Sequence, residues 1–250
     1  MEKGYLKEIR KIGVNARGPV AAKYIVPLII KMVNPKSVCD VGCGAGSFLD
    51  EFQRLGVEDI LGIDGPWIDA RILKIPPSKF IALDLRQDFR FNRKFDIVMC
   101  LEVAEHLEGQ YAENFVKNLT ALSDLILFSA AIPFQFGAHH VNEQWPDYWA
   151  KLFIKESYTP IDTLRTKLWN IDGIDSYYAQ NSVFYARNNL IGNYPNLKNE
   201  IPLFEGSPIK LVHPDLWSRR SAVINYVPSF VKKHYGLIVS IFNRVLQNKS

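Results

Sequence analysis

A glycine-rich stretch between residues 37 and 49 constrains the fold of this chain more than any other feature. It reads SVCDVGCGAGSFL, and its short apolar run ends abruptly at Gly42, Gly44 and Gly46. A second apolar pattern, at helical spacing, follows from Phe48 to Leu55. Glycines at alternate positions let the backbone turn sharply and let a ligand approach closely, and the free N–H groups of a following helix favour an anionic group. The stretch predicts a strand, a ligand-binding glycine loop and a helix.

The spacing of this loop separates it from the dinucleotide-binding fingerprint, whose last two glycines are two residues apart. The pattern Asp40-x-Gly42-x-Gly44-x-Gly46 resembles the first motif of class I S-adenosylmethionine-dependent methyltransferases. The resemblance implies S-adenosyl-L-methionine as the cofactor, bound by Asp40 and the three glycines. A glycine-rich turn in another nucleotide-binding α/β protein is the alternative.

Two further strands end in acidic residues. An apolar strand after the loop helix ends in Asp64, roughly 20 residues past the glycines, where an acidic residue contacts ribose hydroxyls in α/β sheets. We therefore predict that Asp64, with Gly65 beside it, binds the cofactor, and a helix cap is the alternative. In the strand predicted over 80–85, the resemblance implies that Asp84 reads the adenine amino group and that Leu85 lies on the ring. A solvated turn acid is the alternative for Asp84.

The order of apolar segments predicts the fold. Strands over 95–100 and Leu125–Ser129 are separated by a helical pattern from Ala112 to Leu122, which indicates parallel β/α units. The resemblance adds a closing strand over 182–188 in an antiparallel edge hairpin. We predict an α/β fold, a doubly wound, Rossmann-like, seven-stranded and mostly parallel sheet. Ligands gather at the carboxyl ends of such strands, which would bring together Asp40, Asp64, Asp84 and Glu102.

The segment after the fourth predicted strand carries an E-x-x-E-H cluster, Glu102, Glu105 and His106. Two carboxylates and an imidazole suit a hard or borderline divalent ion. The cluster resembles the metal-binding segment of small-RNA 2′-O-methyltransferases and of ubiquinone-pathway O-methyltransferases, which implies Mg²⁺, Mn²⁺ or Zn²⁺ beside the substrate hydroxyl. In many metal-free class I enzymes such a pair instead caps a helix or lines the cofactor pocket. Leu101 and Glu102 are accordingly also predicted as cofactor contacts.

A loop after the fifth strand, GAHHVNEQWP at 137–146, is dense in polar groups. His140 is predicted to be the general base, since imidazole titrates near neutral pH, or the fourth ligand of a metal held by Glu102, Glu105 and His106. Either role makes His140, His106 and Glu105 the predicted catalytic residues. The predicted acceptor-binding residues are His139, Asn142, Glu143 and Trp145. The alternative makes both histidines surface residues.

The segment from Trp145 to Asn181 resembles a subgroup of bacterial and phage methyltransferases that is often associated with polysaccharide or secondary-metabolite genes. The matching positions are His140, Asn142, Glu143, Trp145, Tyr148, Trp149, Asp162, Arg165, Trp169, Gln180 and Asn181. Aromatic faces beside polar groups suit a sugar or another ring-shaped acceptor. Trp149, Leu152 and Phe153 are expected to form the core face of a helix instead.

Composition adds weaker limits. Of the 250 residues, 48% are hydrophobic and 22% charged, as in ordinary soluble proteins. The net charge of +4 does not require a nucleic-acid partner, and three cysteines predict no disulfide framework. We find no signal peptide or membrane-spanning run, so a cytoplasmic location is expected and a membrane partner is not.

We predict a methyltransferase domain over 1–190 and an extension over 191–250. The resemblance implies that N-terminal helices cover the cofactor site, with Tyr5, Arg17 or Tyr24 within reach of it, although simple packing on the sheet is the preferred interpretation. The extension would pack on the domain or form a homo-oligomer contact rather than lie on a membrane surface.

The predicted function is S-adenosylmethionine-dependent O-methylation of a hydroxyl on a sugar, a glycan precursor or another small molecule. Three alternatives stay open at this point. They are an RNA 2′-O-methyltransferase, a small-molecule N-methyltransferase that needs no base such as His140, and a non-catalytic cofactor-binding module.

Overall fold

The computed structural model describes residues 18–225. Within that range the strands are β1 (Ser37–Val41), β2 (Asp59–Asp64), β3 (Phe80–Ala82), β4 (Ile97–Leu101), β5 (Leu125–Ser129), β6 (Tyr158–Ile161) and β7 (Val183–Arg187). The α-helices are α1 (Gly18–Val33), α2 (Ser47–Arg54), α3 (Ala112–Leu122), α4 (Pro146–Lys155), α5 (Leu164–Leu168), α6 (Ser176–Asn181) and α7 (Pro214–Asn225). Short 3₁₀ turns lie between them.

The strands form one seven-stranded sheet in the order β3-β2-β1-β4-β5-β7-β6. The first five strands in this order are parallel to one another, while β7 is antiparallel to both β5 and β6. The predicted mostly parallel sheet with an antiparallel edge is therefore confirmed. The chain leaves β1 toward β2 on one side and reaches β4 on the other, so the order of strands reverses at the β1–β4 pair. Ligand sites of doubly wound sheets lie at such a reversal.

Two buried apolar clusters cover the two faces of the sheet. One contains the inward stripe of α1 together with α2, and the other contains α3 and α4. In α4, Trp149 and Phe153 are buried in the second cluster and Leu152 packs against it, which confirms the predicted core face of this helix. The clusters hold the strand ends rigidly in register.

The chain divides into two compact units after Leu211. Residues 191–211 belong to the unit that contains the sheet, and the domain boundary after residue 190 stays a prediction. Their attachment includes the N–H groups of Glu200 and Ile201, which donate to the carbonyl of Asp162 at 3.0 and 3.2 Å. The second unit contains α7, and none of the helices in the described range is long and apolar enough to cross a membrane.

Several predictions fall on other parts of the chain. Tyr5, Arg17 and the residues of the extension beyond 225 lie outside the described range. Tyr24 lies on α1 and is 41% exposed. The covering and oligomer-contact roles stay predictions.

Candidate active site

The glycine loop between β1 and α2 adopts a backbone that only glycine accommodates easily. Gly42, Gly44 and Gly46 have φ angles of +83°, +55° and +80°, in the left-handed region that side chains disfavour. Space is also short, because a Cβ on Gly42 would lie 2.2 Å from the side chain of Val103, and one on Gly46 would lie 3.0 Å from Ile75. The glycines therefore permit both the turn and the close packing of Val103 and Ile75 against the loop backbone.

Asp64 holds this loop in place. Its carboxylate accepts hydrogen bonds from the backbone N–H of Gly44 at 2.7 Å and of Gly65 at 2.6 Å. Burial raises the pKa of Asp64, and the two backbone hydrogen bonds oppose that rise. Each carboxylate oxygen retains a second lone pair, so the predicted ribose contact is compatible with this brace.

Asp40 is buried beside Asp64 at the end of β1, with 3% of its surface exposed. Burial, and then the neighbouring charge of Asp64, raise the pKa of Asp40 to about 8. A carboxyl group in this state gains most from a cationic partner, because a nearby positive charge offsets the cost of ionisation.

The residues after β3 sit differently from the prediction. Asp84 and Leu85 follow the strand rather than end it, because β3 stops at Ala82. Asp84 forms a two-pronged ion pair with Arg86, at 2.9 and 2.7 Å, and this hydrogen-bonded pairing lowers the pKa of Asp84. Leu85 is only 5% exposed and belongs to the second core cluster. It therefore offers little free surface to a ring.

Glu102 begins the turn after β4, directly after the predicted cofactor contact Leu101, which is buried at the end of that strand. Glu102 has a left-handed φ of +55°, and its N–H donates to the carbonyl of Ser129 at 3.0 Å. Its carboxylate accepts from the side-chain amides of Gln135 at 2.7 Å and Asn181 at 3.0 Å. Glu102 is thus held by amides.

Three of the four predicted metal ligands come together without Glu102. Glu105, His106 and His140 place their ligand atoms within 4.8 Å of one another. The Glu105 carboxylate is fully buried, and neither oxygen has a hydrogen-bond partner at normal geometry, although the backbone N–H groups of Glu105 and Ala131 approach it. Nε2 of His140 lies 4.0 Å from Oε1 of Glu105. Burial raises the pKa of Glu105, while burial and then His140 lower the pKa of His106 to about 4. The group is an electron-donor cluster without a cation among its described neighbours.

Glu143 orients His140. One carboxylate oxygen lies 2.8 Å from Nδ1 of His140, and the other accepts the N–H of Phe134 at 2.8 Å. A carboxylate at Nδ1 favours the tautomer with the proton there, which leaves the lone pair of Nε2 free toward Glu105. Glu143 therefore contacts His140, whereas the sequence suggested an acceptor contact. The spacing of three residues between them was the available signal.

The 134–145 loop positions the other predicted acceptor-binding residues. His139 has a left-handed φ of +60°, and its carbonyl lies 3.3 Å from Nδ1 of His106. Asn142 is 5% exposed, and its N–H donates to the carbonyl of Glu105 at 3.0 Å. Trp145 precedes the first turn of α4, and Nζ of Lys210 lies 5.9 Å from its ring centroid. Gly137 is required beneath His140, since a Cβ there would lie 2.2 Å from Nε2.

A family model described as a methyltransferase domain matches residues 21–172. This chain belongs to the class I S-adenosylmethionine-dependent methyltransferases. The match covers β1 to β6 and the loops that carry Asp40, Asp64 and the Glu105 group. The likeness of the 137–146 loop to a narrower subgroup stays a prediction.

Several ubiquinone biosynthesis O-methyltransferases are curated relatives of this chain. Those of Rhodopseudomonas palustris (strain BisB5) and Nitrobacter winogradskyi are 37% and 33% identical over 73 residues. The aligned part is 27% of this chain and 28% of each relative, so the match spans little more than a quarter of those proteins.

Two solved structures show the same fold. The small RNA methyltransferase HEN1 superposes with a TM-score of 0.50 and 19% identity, over 67% of this chain and 25% of that one. A Nostoc punctiforme PCC 73102 protein, classed by its name with the O-methyltransferases, superposes with a TM-score of 0.53 and 12% identity, over 73% of this chain and 59% of that one.

The raised pKa of Asp40 predicts that cofactor affinity depends on pH. If the ammonium group of the cofactor pairs with ionised Asp40, S-adenosylhomocysteine affinity should rise about tenfold per pH unit up to pH 8, where Asp40 titrates. Calorimetric titration of Asp40→Asn should show weaker binding with a flat profile. The exposed Asp88→Asn variant is the control and should keep the slope. A wild-type affinity that does not change with pH below 8 would show that the cofactor does not draw on the Asp40 charge.

Proposed function

We propose that this methyltransferase transfers the methyl group of S-adenosyl-L-methionine to a hydroxyl of a small ring-bearing molecule, with a divalent cation held by Glu105, His106 and His140. The observation that carries the proposal is the Glu105 carboxylate, which is fully buried, has no hydrogen bond of normal geometry, and lies with the ligand atoms of two imidazoles within 4.8 Å of one another. A buried carboxylate in that state is costly unless it is paired or binds a metal. The O-methyltransferase names of the curated relatives support a hydroxyl acceptor.

The donor set fits a borderline cation better than a hard one. Two imidazole nitrogens and one carboxylate suit Mn²⁺ or Zn²⁺, whereas Mg²⁺ prefers oxygen ligands. Glu143, which holds Nδ1 of His140, has the place of the outer carboxylate that commonly orients a metal-bound histidine. When bound, the cation would lower the pKa of a nearby hydroxyl and hold its oxygen.

The remaining steps, cofactor binding and removal of the hydroxyl proton, are assigned to residues of the chain. The glycine loop braced by Asp64 binds the cofactor, whose sulfonium already activates the methyl group. Proximity then supplies much of the rate, because the acceptor oxygen is held in line with that group. Without a cation, Nε2 of His140 is available instead as the base that takes the hydroxyl proton. The two roles of His140 exclude each other because they use one lone pair.

Calorimetry and turnover test the proposal together. We expect the wild-type chain to bind S-adenosylhomocysteine and to methylate a member of a panel of phenols and sugars. Exhaustive chelation should abolish turnover, and Mn²⁺ or Zn²⁺ should restore it better than Mg²⁺. A short RNA and a panel of amines serve as the competing acceptors. Failure to bind S-adenosylhomocysteine would refute the activity, while turnover that survives chelation would refute the cation and favour His140 as base.

A further inference from the structure

The connection between β6 and β7, residues 162–182, lies at the same edge of the sheet as the candidate active site. β6 ends at Ile161, which pairs with Phe184 in β7. Val183, the first residue of β7, pairs with Phe128 next to the end of β5. The connection therefore begins and ends at the edge where β5 and its parallel neighbour β4 end, and ligands of such sheets gather at this edge.

A buried ion pair holds the two ends of this connection together. Asp162 and Arg165 are fully buried, and Nε of the guanidinium donates to the carboxylate at 2.9 Å. Nη1 of Arg165 donates in turn to the carbonyl of Gln180 on α6 at 3.3 Å. The side-chain amide of Asn181, the next residue, donates to the carboxylate of Glu102 at 3.0 Å. Helix α6 is thus fixed against the turn that follows β4.

Tyr178 on α6 extends from this anchored helix to the glycine-loop side of the site. Its ring meets the ring of Phe48 edge-on, with the centroids 5.8 Å apart, and Phe48 is in the first turn of α2. Only 7% of Tyr178 is exposed, yet its hydroxyl has no hydrogen-bond partner in the described part of the chain. A buried hydroxyl without a partner costs stability, so a bound ligand is the expected partner.

Acidic groups from both halves of the site lie near this hydroxyl. Burial raises the pKa of Tyr178, and four nearby carboxyl groups raise it further. In order of their effect they are Glu102, Asp175, Asp40 and Glu105. The phenol therefore keeps its proton at neutral pH and stays a hydrogen-bond donor. Ionised carboxylates and the Nε2 lone pair of His140 only accept hydrogen bonds, so the Tyr178 hydroxyl is able to supply the donor that a ligand oxygen needs among them.

We infer that the Tyr178 hydroxyl donates a hydrogen bond to the acceptor oxygen that receives the methyl group. The inference rests on the proposed function and deepens it, since it adds a catalytic residue to the same site. The acceptor hydroxyl loses its proton to Nε2 of His140 or to solvent, and negative charge develops on its oxygen. Tyr178 keeps its own proton and stabilises that charge. The oxygen then bonds to the methyl carbon while the carbon–sulfur bond breaks, and its electron pair leaves with the neutral thioether S-adenosylhomocysteine.

Tyr178→Phe is the direct test, because phenylalanine keeps the ring on Phe48 and removes only the hydroxyl. On the Mn²⁺-treated full chain we expect kcat for the phenol or sugar that the wild type methylates fastest to fall about a hundredfold. The affinity for S-adenosylhomocysteine, measured by calorimetry, should stay the same, and the melting temperature should not fall, because the lost hydroxyl has no partner in the described fold. Tyr177→Phe is the matched control. The Tyr177 hydroxyl donates to Asp175 at 2.8 Å, so this variant should melt about 2–4 °C lower and keep kcat.

A pair of acceptors that differ in acidity gives a second readout. Phenol and 4-nitrophenol serve for an aromatic acceptor, and a methyl glycoside and its fluorodeoxy analogue serve for a sugar. A donor to the developing negative charge helps the less acidic member more, so the loss in Tyr178→Phe should be about tenfold smaller for the acidic member. Equal losses for the two members, or an unchanged kcat, would overturn the inference. A wild-type chain that binds S-adenosylhomocysteine but methylates neither phenols nor sugars would instead refute the proposed hydroxyl acceptor.

Discussion

Replacement of Glu105 by glutamine is expected to lower kcat/KM for methyl transfer about a thousandfold and to stabilise the metal-free fold. The catalytic loss follows because glutamine removes the only carboxylate of the Glu105–His106–His140 group, and a bound cation contributes several kcal/mol of charge stabilisation. The gain in stability follows because folding at neutral pH has to bury the Glu105 charge or take up a proton. Glutamine requires neither.

The sign of the pH dependence makes this second effect distinctive. The folded pKa of Glu105 is raised, so the fold is favoured below the unfolded pKa, about 4.3 for glutamate, and loses that advantage as pH rises toward the folded value. The stabilisation by Glu105→Gln should thus be absent in acid and reach about 1–3 kcal/mol near neutral pH, measured by urea unfolding after chelation.

A neighbouring glutamate supplies the control for Glu105. Glu108→Gln changes an exposed side chain on the same segment and should alter neither activity nor stability. Added Mn²⁺ or Zn²⁺ should raise the melting temperature of the wild type and of Glu108→Gln, but not of Glu105→Gln. A Glu105→Gln variant that keeps normal turnover and a normal metal-induced shift would rule out Glu105 as a ligand.

Replacement of Asp64 by asparagine is expected to weaken the binding of S-adenosylhomocysteine by about a hundredfold and to lower the free energy of unfolding by about 2 kcal/mol. Asparagine keeps one acceptor oxygen and turns an N–H₂ group toward a backbone N–H, either of Gly44 or of Gly65. One buried donor is then unsatisfied, and the glycine loop loses a charged brace. Calorimetry measures the first effect and urea unfolding the second.

Asp69→Asn is the matched control for Asp64. Asp69 also accepts a backbone N–H after β2, from Arg71 at 2.9 Å, and its carboxylate pairs with the exposed Arg71 side chain. The Asp69→Asn variant should lower the free energy of unfolding by only a few tenths of a kcal/mol and leave cofactor affinity unchanged. Equal effects of the two variants on affinity would mean that the Asp64 brace has no special part in cofactor binding.

The fold and the outline of the site could be predicted because both follow from periodic or local patterns. Alternating strands and helices predict a parallel sheet, and parallel topology brings the residues at strand ends to one edge. The positions of Asp40, Asp64 and the glycine loop could be predicted from that information alone, since each lies next to its own strand.

The different partners of Glu102 and Glu105 could not be predicted in this way. Glu102 has a left-handed backbone and is held by side-chain amides, while Glu105 lies with His106 and His140, and nothing in the E-x-x-E-H spacing requires that arrangement. The amides that take up Glu102 come from Gln135 and Asn181, 33 and 79 residues away in sequence. Such long-range pairings depend on how loops of the folded chain meet.

The strand order has an evolutionary consequence. The loops that brace the predicted cofactor contacts follow β1 and β2, while the Glu105 group and its supports follow β4 and β5, on the other side of the β1–β4 reversal. On the proposed function, we expect substitutions in the 134–145 loop to change which molecule receives the methyl group while the contacts of Asp64 with the glycine loop stay intact. New acceptors could then be adopted by changes in a loop that follows β5, separate from the loops after β1 and β2.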